Sequence, residues 1–173
     1  MHHPLQYFQF CPHCGSKKFD ANNGKSKKCK DCNFTYYLNP SAAVVAVVEN
    51  EKGQILVARR GKEPAKGTLD LPGGFADLDE GIEESVCREF KEETGLESSE
   101  VEFLFSIPNN YLYSDMIIPT MDMFFRCKVS NTERLTAMDD VSELMWINKS
   151  EINPADFGLE SIKKGIERLT KRN

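Results

Sequence analysis

Three carboxylates crowd one short stretch of this 173-residue chain. Glu89 and Glu93 are four residues apart and Glu92 is three from Glu89, so on a helix they share one face. Like charges at this spacing repel by about 0.2–0.5 kcal/mol per pair, a cost that a cation placed among them would reverse. A hard divalent ion with oxygen ligands is suited to that place. Mg²⁺ in particular takes one or two carboxylates, keeps several waters and completes its shell with substrate phosphates. The same residues also read as an acidic, solvent-facing helix face. Just upstream, Pro72-Gly73-Gly74 is a loop of small residues that lets backbone approach a ligand.

A second group of chemistry-bearing residues lies near the N-terminus. Cys11-Pro-His-Cys14 and Cys29-Lys-Asp-Cys32 are two CxxC pairs separated by 14 residues. Each tight CxxC turn puts two sulfurs on one side of a loop, and two such turns complete a tetrahedron, the arrangement of a four-thiolate Zn²⁺ site. About 40 residues bury too little apolar surface to hold a fold alone, so the metal would supply the folding energy. Two disulfides are the rival reading, which a reducing compartment disfavours. His13, inside the first pair, reads as a bystander, and Cys87 and Cys127 as buried core thiols.

The elements that must carry these residues follow from pattern. A helix is expected from about Glu83 to Thr94, stopped by Gly95, with Val86 and Phe90 turned to a buried face. Ala42–Val48 lacks alternation and is rich in valine, as in a strand buried on both faces. Gln54–Arg60, Val101–Ile107 and Met121–Val129 read as further strands, Leu144–Ile147 as a short one, and Glu160–Lys171 as a closing amphipathic helix with Ile162, Ile166 and Leu169 inward. Pro108–Pro119 has neither helical nor strand period and is expected to be a long loop of the functional kind. Tyr111 and Tyr113 in it offer flat faces for a base. The basic residues of Arg59-Arg60-Gly61-Lys62 and Lys66, Arg59 foremost, are candidates for phosphate contact, with exposed salt-bridging as the alternative.

Gly74, then five residues, Glu80, then seven, and Arg88-Glu89-Phe90-Lys91-Glu92-Glu93-Thr94-Gly95-Leu96 together resemble, without a departure, the signature of the Nudix hydrolases. Seven fixed identities and two apolar positions make this a specific match. The resemblance runs from about Ala42 to the C-terminus. It implies an α/β fold, an α/β/α sandwich with a mixed sheet, as domain 39–173 behind a small zinc ribbon at 1–38. The ribbon is similar to the one that precedes this domain in NADH pyrophosphatases and in some FAD and ADP-ribose pyrophosphatases.

The implied activity is hydrolysis of a nucleoside diphosphate linked to another moiety, with Mg²⁺ or Mn²⁺ as cofactor. By the resemblance, Glu89 and Glu93 hold the metal most directly, with Glu92 beside them and the carbonyl of Gly73 or Gly74 as a further oxygen. Asp140 and Glu143 are candidates to complete the site. Arg88 orients a carboxylate of the set and Glu80 braces loop to helix. Two departures bear on substrate. Leu69 stands where an aromatic is frequent, and Ser106-Ile-Pro-Asn-Asn-Tyr111 replaces the Ser-Gln-Pro-Trp-Pro-Phe-Pro run of NADH pyrophosphatases. ADP-ribose or FAD is therefore expected ahead of NADH. An NADH pyrophosphatase is the alternative, as is a nucleotide-sensing regulator whose ribbon binds nucleic acid.

Composition bounds these readings. With 40% hydrophobic and 28% charged residues a sizeable core is available. Ala42–Val48, the longest apolar run, is too short to span a membrane, and MHHPLQYFQF lacks the layout of a signal peptide. A cytoplasmic setting is expected. Residues 1–40 carry a formal +4 and the remainder −9, and an acidic body suits a metal site better than a nucleic-acid groove. A small nucleotide is thus the expected partner, with no nucleic acid or membrane and a homodimer left open.

Overall fold

The computed structural model describes residues 3–130 and 135–171. Met1 and His2 of the expected 1–38 ribbon, and positions 131–134 and 172–173 of the expected 39–173 domain, lie outside them. The chain divides into two compact units, Met1–Pro40 and Ser41–Asn173.

In the first unit, β1 (Phe19–Asn23), β2 (Ser26–Cys29) and β3 (Thr35–Tyr37) form an antiparallel sheet in that order. The two CxxC turns repeat one geometry. The N–H of Cys11 donates to Ser16 O and that of Gly15 to Cys11 O; likewise Cys29 N donates to Phe34 O and Asn33 N to Cys29 O. Gly15 and Asn33 both take positive φ, 73° and 62°. Cys11, Phe19 and Cys29 are buried together against Phe8, Phe34 and Tyr36. The four cysteine sulfurs lie within 4.8 Å of one another.

The second unit opens with β4 (Ser41–Val47), β5 (Gln54–Arg60), β6 (Leu69–Asp70) and β7 (Gly73–Phe75). There follow α1 (Ile82–Thr94), β8 (Glu100–Tyr113), β9 (Met116–Lys128), β10 (Val141–Asn148) and α2 (Glu160–Thr170). One sheet runs β7-β4-β9-β8 and is mixed, β4 lying parallel to β9; the other runs β10-β5-β6 and is antiparallel. β4 explains its own composition. Val45 and Val47 enter a core with Val57, Phe124 and Ile166 of α2, while Val44, Ala46 and Val48 enter another with Val86 and Phe90 of α1. Both faces are covered, so both must be apolar. No described helix is long and apolar enough to cross a membrane.

The expected loop at Pro108–Pro119 is not a loop. β8 continues to Tyr113 and β9 begins at Met116, so the segment is the far end of a hairpin in continuous register from Pro108↔Met121 to Tyr113↔Met116. Its turn residues, Ser114 and Asp115, have φ of 49° and 61°, the positive pair that a two-residue hairpin turn requires. Both prolines sit where a missing N–H is tolerated. Pro108 is on an edge strand, and Pro119 lies one residue before the stretch of β9 that β4 pairs.

Candidate active site

Helix α1 begins one residue earlier than the pattern suggests and ends at Gly95, whose N–H caps Lys91 O. Burial of Val86 and Phe90 fixes its rotation. That leaves the Glu89, Glu92 and Glu93 side facing a cavity of about 370 Å³, which all three line.

The glycine loop closes on this helix. Gly73, with φ of 155°, has no room for a side chain, since a Cβ there would lie 2.0 Å from Val44 O. Its N–H donates to Glu93 Oε2 at 2.9 Å. A Cβ on Gly74 would fall 2.4 Å from the Glu89 carboxyl carbon. Bare backbone is therefore pressed against two of the three carboxylates.

Arg88 ties the rest together. Its Nε and Nη2 donate to the two oxygens of Glu80, at 2.9 and 2.6 Å. Nη1 donates to Glu89 Oε1 at 2.9 Å and Glu92 Oε2 at 3.0 Å, and Nη2 also reaches Phe75 O. Glu80 accepts the Asp77 N–H as well. The Arg88 guanidinium, helped by that N–H, holds the Glu80 carboxyl down to about 2.

The cavity carboxylates move the other way. Burial pushes Glu93 up to about 8; the Gly73 N–H opposes this, while Asp70, Glu89 and Asp140 reinforce it. Burial also raises Glu89. Anions are gathered here in a partly desolvated place with one guanidinium already shared among them. This donor set, all oxygen and open beside a glycine cradle, fits a hard divalent cation.

The other expected residues separate into two groups. Tyr111 and Asp140 line the same cavity. Tyr111 packs edge-on to Phe75 with centroids 5.4 Å apart, and its hydroxyl accepts a long bond from Arg60. Asp140 pairs with Lys62 at the rim. Arg59 and Glu143 are instead bonded to each other, Nε to Oε2 at 2.9 Å, and Tyr113 projects at the hairpin tip, 61% exposed; none of these three is among the lining residues.

Arg60, from the basic run expected to meet phosphate, also lines the cavity, whereas Asp70 and Asp122 escape sequence reasoning. Arg60 donates to Asp70 Oδ2 at 2.5 Å, and Asp70 Oδ1 accepts the Leu71 N–H. Burial raises Asp70 above the usual carboxylate range against the pull of Arg60. Asp122 of β9 is buried and accepts from Thr120 Oγ1, Ser161 Oγ and Asn109 Nδ2. The available signal was a lone acid inside an apolar run, in Leu69-Asp70-Leu71 and in Met121-Asp122-Met123.

In the first unit, Cys11 Sγ lies 3.7 Å from Cys32 Sγ, and Cys14 Sγ lies 3.6 Å from Cys29 Sγ. Tetrahedral Zn–S bonds of about 2.3 Å put sulfurs about 3.8 Å apart, so these four could hold zinc. The backbone N–H of Cys32 favours the Cys29 thiolate and, with that of Asp31, brings this thiol to about 7.

A family model described as "NUDIX domain" matches residues 39–169. Among curated proteins, the chain is 28% identical over 152 residues to the NAD-capped RNA hydrolase NudC of Vibrio parahaemolyticus, covering 88% of this chain and 55% of that protein. It is 46% identical over 63 residues to the ADP-ribose pyrophosphatase of Methanocaldococcus jannaschii, covering 36% of this chain and 37% of that one. The chain thus spans about half the length, or less, of these relatives. Among solved structures, a NUDIX hydrolase from Nitrosomonas europaea superposes with a TM-score of 0.71 at 23% identity, covering 94% of this chain and 90% of that one.

Proposed function

The chain belongs to the NUDIX family, and from that premise we propose that it is a divalent-metal-dependent pyrophosphohydrolase. Its substrate class is a nucleoside diphosphate linked to a second group, with ADP-ribose or FAD cleaved ahead of NADH. The observation that carries this reading is the convergence of Glu89, Glu92, Glu93 and the Gly73–Gly74 backbone on one cavity.

Glu89, Glu92, Glu93 and the carbonyl of Gly73 or Gly74 would hold Mg²⁺ or Mn²⁺, with Asp140 at the rim as a further candidate. Such an ion, when bound, neutralises diphosphate charge and lowers the pKa of a coordinated water. The protein's own part is positional. Arg88 fixes the rotamers of Glu89 and Glu92 and ties both to Glu80 and the Phe75 carbonyl. Gly73 orients Glu93 through its N–H. Arg60, held by Asp70, is a cation that lines the cavity and can meet charge on the leaving phosphate. Tyr111, edge-on to Phe75, gives an aromatic wall for a base or flavin. Cys11, Cys14, Cys29 and Cys32 would hold structural Zn²⁺.

The local similarity to an ADP-ribose pyrophosphatase supports the choice of substrate. A second reading, an enzyme acting on NAD-type dinucleotides, free or at an RNA end, is favoured by the NudC relatives, which match most of this chain. The test is a panel of ADP-ribose, FAD, NADH, diadenosine polyphosphates and nucleoside triphosphates with Mg²⁺, read by the phosphorylated products. AMP released fastest from ADP-ribose or FAD is the expected result. Fastest cleavage of NADH establishes the second reading, and fastest cleavage of a triphosphate rejects both.

A further inference from the structure

β8 and β9 carry polar groups where a sheet face would ordinarily be apolar. Their register sets Asn109 opposite Thr120 and Ile107 opposite Asp122, so Asn109, Tyr111, Thr120 and Asp122 fall on one face. That face lines the cavity, next to Asp70 and Arg60 of the other sheet.

Asp122 is 5% exposed and Asp70 is 7% exposed. Burying a carboxylate is costly unless its acceptor positions are filled. A pair of carboxylate oxygens offers about four such positions. Asp122 Oδ2 accepts from Ser161 and Asn109, and Oδ1 from Thr120. Asp70 accepts one donor on each oxygen, from Leu71 N and from Arg60. About three acceptor positions are thus left on the two groups. Asn109, its amide nitrogen turned to Asp122, adds a carbonyl oxygen.

This wall therefore has a surplus of acceptors and, among the described lining residues, no cationic donor apart from Arg60, which Asp70 already engages. Beyond Arg60, the Asp122–Asn109 part of the wall offers a phosphate no cation and is matched by hydroxyls, each of which donates one hydrogen bond. Anchoring α2 through Ser161 fills one acceptor position of Asp122, and Thr120 and Asn109 of the hairpin fill two more, which leaves one facing the cavity side of the wall.

We propose that Asp122, Asn109 and Asp70 form a subsite for a neutral, hydroxyl-bearing sugar carried on the far side of the diphosphate. The subsite rests on the pyrophosphohydrolase reading and narrows it. It selects glycosyl or ribosyl diphosphates against nucleotides that end in a further phosphate.

The experiment compares ADP-ribose with the β-methyl ester of ADP, which has the same diphosphate and no second sugar. Both are assayed with Mg²⁺ on wild type, Asn109→Ala and Asp122→Asn, with thermal melting of each variant. Wild type is expected to prefer ADP-ribose by about tenfold or more in kcat/KM, as for a site that pairs substrate hydroxyls. In both variants that ratio should fall towards one, with the change mainly in the KM for ADP-ribose. Asn109 is only half-buried, so if Asp122→Asn fails to fold, Asn109→Ala decides by the same ratio. Equal kcat/KM for the two esters in wild type overturns the subsite and keeps the activity. So does an unchanged preference in the folded variants, or a loss shared equally by both esters. A wild type that cleaves neither ester overturns the activity and the subsite together.

Discussion

Glu93 combines a buried carboxylate, a backbone donor and three anionic neighbours, so its substitution tests the site most directly. Glu93→Gln keeps shape and removes charge, and turnover should fall by at least about 100-fold, the cost of losing one strong electrostatic contact at a reacting centre. The melting temperature should hold, because a source of repulsion has gone. Near-normal turnover at saturating Mg²⁺ would remove Glu93 from the metal set. Its raised proton affinity adds a second expectation for chelator-treated protein. Below about pH 4.5 Glu93 is protonated both folded and unfolded. Between there and about pH 8 the unfolded chain releases that proton while the folded one keeps it, so stability declines as pH rises, then levels off. Melting scans from pH 4 to 9 in chelator should show this fall, and Glu93→Gln should flatten it in part; Asp70 and Glu89, raised in the same direction, keep the remainder. A fall of equal size in the variant refutes the assignment. The acidic helix face was readable because helical spacing alone aligns its members. Asp70 and Asp122 were not, since a buried acid within an apolar strand declares itself only once its partners from other elements are in place, Arg60 of β5 for Asp70 and Asn109 of β8 with Ser161 of α2 for Asp122.

At the scale of elements, β4, β5 and α1 were legible to within a residue or two. β4 is apolar on both faces because each face meets its own core, and α1 carries a buried stripe and a glycine stop. The hairpin end was not legible. From Pro108 to Leu112 burial alternates but residue type does not, since the part-buried face carries Asn109 and Tyr111 while Leu112 is exposed, and the turn is built by Ser114-Asp115 rather than by an asparagine–glycine pair. The ribbon supplies the element-scale prediction. Cys29 sits at the end of β2 and carries the bonds that shape the second CxxC turn. Cys29→Ser should lose bound zinc and expose residues up to about Tyr36 to protease, while Ser41–Asn173 stays folded. Wild-type protein containing far less than one zinc per chain, or a protease-resistant N-terminus in the variant, would refute a metal-organised ribbon.

Taken whole, the molecule joins a lysine-rich unit of formal +4 to an acidic one of −9. In the acidic unit the largest sheet is not closed on itself: among the described residues β8, fourteen residues long, has β9 on one side and no strand on the other. An uncovered edge is a template onto which another chain can add a strand, and such growth ends in fibrils rather than in a defined assembly. This edge bears two kinds of guard. Glu100 and Glu102 place like charge at one end, already engaged by Lys128 and Arg126 of the neighbouring strand. Pro108, near the middle, withholds a donor and interrupts any ladder that would run the length of the strand. Pro108→Val should leave the melting temperature within about 1 kcal/mol of wild type in stability terms, yet make light scattering rise with concentration and time. A variant that stays monodisperse at high concentration would show that this proline does not protect the edge. Pro108 then matters less to how one copy folds than to how many copies can share a solution.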